Sequence, residues 1–160
     1  MKPRIDRTKH PEALKAMGAL HAYLHAGKLD PVLQELVSFR ASQMNGCAWC
    51  LDMHSKELRA HGVAEQKLYM VSAWRESPLF TERERAALAW TEALTSLEHQ
   101  EVPDSVYEEV RKHFAEPEVV DLTLAVISIN GWNRLNVAWR TVPGDYKPRM
   151  RTVAATASAA

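Results

Sequence analysis

An all-helical fold follows from three features of the sequence. Apolar residues recur at spacings of three and four almost throughout. Glycine is scarce, six in 160 residues. The β-branched residues do not alternate with polar ones, so strands lack their usual signature. About seven helices in a single domain are expected, with the core over residues 30–140.

The first helix runs from Pro11 to Ala26, with Leu14, Met17, Leu20, Tyr23 and Leu24 inward and Gly27 as its stop. The second follows Asp30-Pro31, an N-cap and then a proline at the first helical position. Its apolar positions are Val32, Leu33, Leu36, Val37, Phe39 and Ala41, and it ends near Asn45-Gly46. The third starts near Cys47, in its first turn, and ends at His61-Gly62. The fourth covers Ala64 to Arg75, before a break at Ser77-Pro78. Thr81-Glu82-Arg83-Glu84 is a capping box that opens a fifth helix reaching Leu97. A sixth spans Pro103 to Phe114, and a seventh runs from Pro117 to Trp139 with an interruption at Asn130-Gly131. That second Asn-Gly echoes Asn45-Gly46, which predicts two related helical hairpins. From Val142 to the end the chain reads as an extended tail, mobile or docked on a neighbouring subunit.

Composition narrows the function. Lys+Arg and Asp+Glu are equal at 20 each, so nothing favours nucleic acid or an anionic membrane as a partner. No run of about 18 apolar residues is present, and the basic N-terminus lacks the apolar stretch of a signal peptide. A cytoplasmic location is expected. Five tryptophans and seven helices leave apolar surface that a monomer does not cover, so self-association is expected.

The two cysteines, Cys47 and Cys50, stand three residues apart, with His54 four residues further on. At about 100° per residue, helical geometry puts all three side chains on one face. A pair at this spacing lies within the rough 4.4–6.8 Å Cα range of a disulfide and can open and close with little backbone movement. The free amides after Asn45-Gly46 favour thiolate over thiol, and His54 can take the proton. If the second and third helices fold back at Asn45-Gly46, Glu35 comes level with His54. The expected order is then Glu35, His54, Cys50, Cys47. A carboxylate that orients an imidazole beside a thiol is a proton relay. Glu35 lies among apolar residues, which predicts a raised pKa.

These residues resemble the signature of the AhpD-like alkylhydroperoxidase family, within the carboxymuconolactone decarboxylase superfamily. The pattern falls on Glu35, Cys47, Cys50 and His54, with similar flanks at Arg40–Cys47 and Asp52–Lys56. It extends to Asp121-Leu122-Thr123 and to Asn130–Asn136. The resemblance implies an all-helical fold, assembly into homotrimers or homohexamers, and reduction of a hydroperoxide or a protein disulfide through the cysteines. It also implies that Cys50 attacks and Cys47 resolves, with a lipoyl-type or thioredoxin-like dithiol as electron donor. No cofactor and no metal are called for. Trp49 departs from the pattern: the best-known members carry a His just before the second Cys. The change removes one proton carrier and leaves the disulfide chemistry intact.

Other readings use the same residues. Two thiolates, an imidazole and a carboxylate could form a tetrahedral zinc site in a binding module without turnover, or the pair could serve as a redox sensor. A lyase or isomerase of the decarboxylase branch would need no thiol pair. His21 and His25 stand i, i+4 and read as a surface or interface pair, while Trp74, Trp90 and Trp132 read as core or interface.

Overall fold

The computed structural model describes residues 2–97 and 101–148. Seven α-helices and no strand occur among them: α1 (Pro11–Ala26), α2 (Pro31–Met44), α3 (Ala48–Ala60), α4 (Glu65–Met70), α5 (Glu82–Ser96), α6 (Asp104–His113) and α7 (Glu116–Trp139). Short 3-10 turns stand at Arg7–Lys9 and Val71–Ala73.

Local chemistry sets the helix ends. Asp30 accepts from the Leu33 amide at 2.8 Å and Pro31 follows it, so α2 starts where its first orphan amides are satisfied. The capping box at α5 is complete: Thr81 Oγ1 accepts from the Glu84 amide at 3.2 Å and the Glu84 carboxylate from the Thr81 amide at 2.8 Å. Gly46, at φ +63°, takes the left-handed conformation that turns α2 into α3.

The second helix is the hub. It packs on α3, α5 and α7 and places its buried residues in the clusters it shares with them. Val37 and Leu33 meet Leu122, Ala87 and Trp90 in one core cluster. Leu36 and Phe39 meet Leu58, Leu88 and Trp74 in a second. Burying each such side chain contributes about 1.5–3 kcal/mol. A small third cluster, Ala41, Cys47, Cys50 and Ile129 with Trp49 and Trp132 beside it, forms the floor of the thiol region.

Four expectations need correction. The seventh helix is unbroken through Asn130-Gly131, so the second hairpin predicted there does not form. Gly131 faces α1: a Cβ there would come 2.8 Å from Met17 Cε, the flexible end of a side chain. The fourth helix stops at Met70 and tightens into a 3-10 turn rather than reaching Arg75. Cys47 is the N-cap of α3, one step before the first turn. The start of the tail, residues 142–148, docks on α3 of its own chain: Lys56 Nζ donates to the carbonyls of Gly144 (2.9 Å) and Tyr146 (3.1 Å), and Tyr146 bonds Glu57. The rest of the predicted tail lies outside the described residues. No helix among them is long and apolar enough to cross a membrane.

Candidate active site

The thiol pair stands where α2 turns into α3 against α7. The turn itself is pinned by the Cys47 amide, which donates to the Ser42 carbonyl at 3.1 Å. Cys47 and Cys50 are joined as a disulfide with their Cα atoms 5.4 Å apart. As N-cap, the Cys47 sulfur accepts from the Cys50 amide at 3.4 Å. Asn136, on α7, donates to Cys50 Sγ at 3.5 Å. Both cysteines are buried, and only Cys50 borders the adjoining cavity of about 150 Å³.

One helical turn beyond Cys50, His54 faces the same cavity. Its Nδ1 stands 2.7 Å from Glu35 Oε2, the juxtaposition that the folded-back α2–α3 pair predicts. The Glu35 carboxylate accepts the Nδ1 proton, which leaves Nε2 as the working nitrogen. Nε2 is buried and has no hydrogen-bond partner among the described residues. The predicted rise in the Glu35 pKa is not what the geometry produces. Burial pushes the carboxyl up, but the charge and hydrogen bond of His54, helped by His25 and His61, outweigh it and hold it below its ordinary value of 4.5. Glu35 also borders a second, wider recess of about 550 Å³, with His25, His61 and Glu57 on its far walls.

Behind the cysteines runs a buried amide network. Asn45 Nδ2 donates to Asn130 Oδ1 (3.0 Å) and Asn133 Oδ1 (2.9 Å), and Asn133 Nδ2 donates to Ser42 Oγ (3.0 Å). It ties the end of α2 to α7 beneath the turn that carries Cys47. Asn133 is fully buried. Asn133→Ala strands one Asn45 N–H and removes the donor to Ser42. An expected loss of about 2–4 kcal/mol follows, read as a lower urea midpoint at matched protein concentration. A shift no larger than that of Glu108→Ala, on the exposed face of α6, would contradict it.

Three residues at this site had no role assigned from sequence. Arg7 borders the apolar cavity, with its guanidinium 5.2 Å from the centroid of the Trp49 ring. His21 is exposed, with its ring 4.1 Å from that of His25, as the surface-pair reading expects, and it also borders both recesses. Asn136 falls on the same stripe of α7 as Leu122, Ala125 and Ile129, and a polar residue on an apolar stripe is the signal that marks it. Trp49 and Trp132 line the cavity, whereas Trp74 and Trp90 are core. Among the described residues no group of three or more His, Cys, Asp or Glu is disposed to hold a metal ion.

Fold and site together define an all-helical protein with a buried cysteine pair, one member of which borders a largely apolar cavity. The sequence model of the carboxymuconolactone decarboxylase family matches residues 11–93, and the chain belongs to that family, among its AhpD-like members. It is 40% identical over 128 residues to the uncharacterized protein YdfG of Bacillus subtilis, covering 80% of this chain and 87% of the relative. A solved structure of a protein of unknown function from Agrobacterium tumefaciens, ATU0492, superposes with a TM-score of 0.87 at 43% identity, over 91% of this chain and 100% of the other. A stretch of 30 residues is 60% identical to the alkyl hydroperoxide reductase AhpD of Rhizorhabdus wittichii, 19% of this chain and 17% of that one.

Proposed function

We propose that this protein is a thiol-dependent antioxidant oxidoreductase that reduces a hydroperoxide, with a dithiol as electron donor. One observation carries the reading: Cys50 and the unpartnered Nε2 of His54 border one cavity, while Glu35 holds the opposite ring nitrogen. The short match to an alkyl hydroperoxide reductase points the same way. A small hydroperoxide suits the site better than a protein disulfide, because both sulfurs lie beneath the surface.

In the reduced enzyme, His54 Nε2 takes the Cys50 proton. The Cys50 thiolate attacks the terminal peroxide oxygen. The O–O bond breaks, and the departing alkoxide takes the proton back from His54 as it leaves as an alcohol. Cys50 is now a sulfenic acid. The Cys47 thiol attacks its sulfur, its own proton goes to the departing hydroxide, which leaves as water, and the Cys47–Cys50 disulfide forms. A donor dithiol slender enough to reach the buried sulfurs, of the lipoyl type, opens that disulfide through a mixed intermediate and leaves as its own disulfide. This cycle needs a reducing compartment, which fits the cytoplasm. Exposed Val120, Ile127 and Val137 on α7 are the surface we assign to assembly into trimers or hexamers.

The test is stoichiometric. Reduced protein mixed with one equivalent of an organic hydroperoxide is expected to lose both thiols, gain one disulfide and release one alcohol. Added dihydrolipoamide then sustains turnover. Thiols that survive the hydroperoxide would sink the proposal.

A further inference from the structure

We infer that Arg7 is the anion-recognising residue of the cavity, and that the hydroperoxide it selects is small and carries a carboxylate. The inference rests on the hydroperoxide reading above for its reaction, though not for its binding arm.

Two formally charged side chains border the cavity, Arg7 and Glu35; its other walls include Leu24, Ala125, Ile129 and Trp132. The Glu35 carboxylate is engaged by His54 at 2.7 Å. Arg7 has no carboxylate partner among the described residues. Its sequence neighbour Asp6 is committed elsewhere, to the Thr8 amide (3.1 Å), the Thr8 hydroxyl (2.7 Å) and Lys9 (3.8 Å). By contrast Arg40, Arg59, Arg75 and Arg83 each pair with a glutamate.

The placement of Arg7 is built into the fold. The Arg4 amide donates to the Trp139 carbonyl at 2.9 Å and the Arg4 guanidinium to the Ala138 carbonyl at 3.3 Å, which anchors the N-terminal segment on the end of α7. The 3-10 turn Arg7–Lys9 then presents Arg7 to the Trp49 ring. Trp49 is the residue that departs from the family pattern, so the same position that loses a histidine supplies the face on which the guanidinium rests. A half-buried guanidinium on an apolar wall is a two-pronged donor without an acceptor, and a carboxylate is the acceptor that matches its fork. Size follows from the cavity. Its volume of about 150 Å³ is that of an engineered apolar cavity known to bind benzene. The ligand is therefore a benzene-sized body with a carboxylate at Arg7 and its peroxide group toward Cys50.

Calorimetric titration of wild type and Arg7→Gln with benzoate and with benzyl alcohol tests the binding arm without any chemistry. Wild type is expected to prefer benzoate by about tenfold or more, and Arg7→Gln to bring the ratio near one. No preference in wild type, or a preference kept in Arg7→Gln, overturns the inference. The reaction arm compares KM for cumene hydroperoxide and for its ring-carboxylated analogue. A preference of similar size, expressed in KM rather than kcat and lost in Arg7→Gln, supports the substrate class; equal KM values in wild type overturn it. If neither hydroperoxide is consumed, the reaction proposal fails, and the benzoate ratio still decides whether Arg7 recognises anions.

Discussion

Cys50→Ser is expected to abolish hydroperoxide turnover, and Cys47→Ser to stop the enzyme after one oxidation. The asymmetry comes from position. Cys50 borders the cavity and Cys47 does not, although both are buried. Cys50 also takes the Asn136 amide hydrogen bond, which steadies a sulfur bearing negative charge. Cys47 sits behind it as the N-cap of α3, placed to strike Cys50 rather than an incoming substrate. Serine cannot replace a thiolate as nucleophile, so turnover in Cys50→Ser should fall on the order of 10³-fold or more. In Cys47→Ser the first step still proceeds, and Cys50 accumulates as sulfenic acid, seen as one added oxygen in the intact mass and trapped by a dione reagent. A sulfenic acid that forms on Cys47 in the Cys50→Ser protein would reverse the two roles.

The helices were legible because their signals are local. Asp30-Pro31, the Thr81–Glu84 box and Gly46 satisfy or redirect backbone groups within a few residues, so sequence spacing suffices to find them. The Glu35–His54 pairing was legible for the same reason: once Asn45-Gly46 is a turn, helical rise alone brings the two level. Asn130-Gly131 misled because the same dipeptide has a tertiary use there. Its asparagine bonds Asn45 at the end of α2 and Thr95 on α5 rather than shaping a turn. Arg7 and His21 reach the site through the packing of the N-terminal segment and α1 on α7, and no local pattern announces that. The Glu35 ionisation was misjudged because apolar neighbours in sequence indicate burial alone. The direction depends on the imidazole that the fold brings to 2.7 Å.

Glu35→Gln tests what that imidazole contact does. Glu35 is a positioning residue: it reaches His54 and not the sulfur, so it acts through the ring. Glutamine keeps the size and can still accept from Nδ1–H, but it removes the charge that stabilises the imidazolium formed when Nε2 takes the Cys50 proton. It can also present its NH₂ to Nδ1, which would favour the tautomer with the proton on Nε2 and block that nitrogen as a base. The expected fall in kcat/KM is about 10²- to 10⁴-fold, the usual range for a disabled general base. Two pH measurements separate this from a structural role. Glu35 is held below its ordinary value of 4.5, so its share of folding stability is fully present above that pH and is lost as pH falls through the lower folded value. Glu35→Gln should therefore flatten the loss of stability below about pH 4.5, read in urea titrations, while its activity deficit persists at neutral pH, where the protein is folded. Glu35→Asp, which restores the charge on a shorter arm, should recover part of the rate. A Glu35→Gln enzyme with the wild-type rate and an unchanged pH profile would show that the dyad only packs the cavity wall.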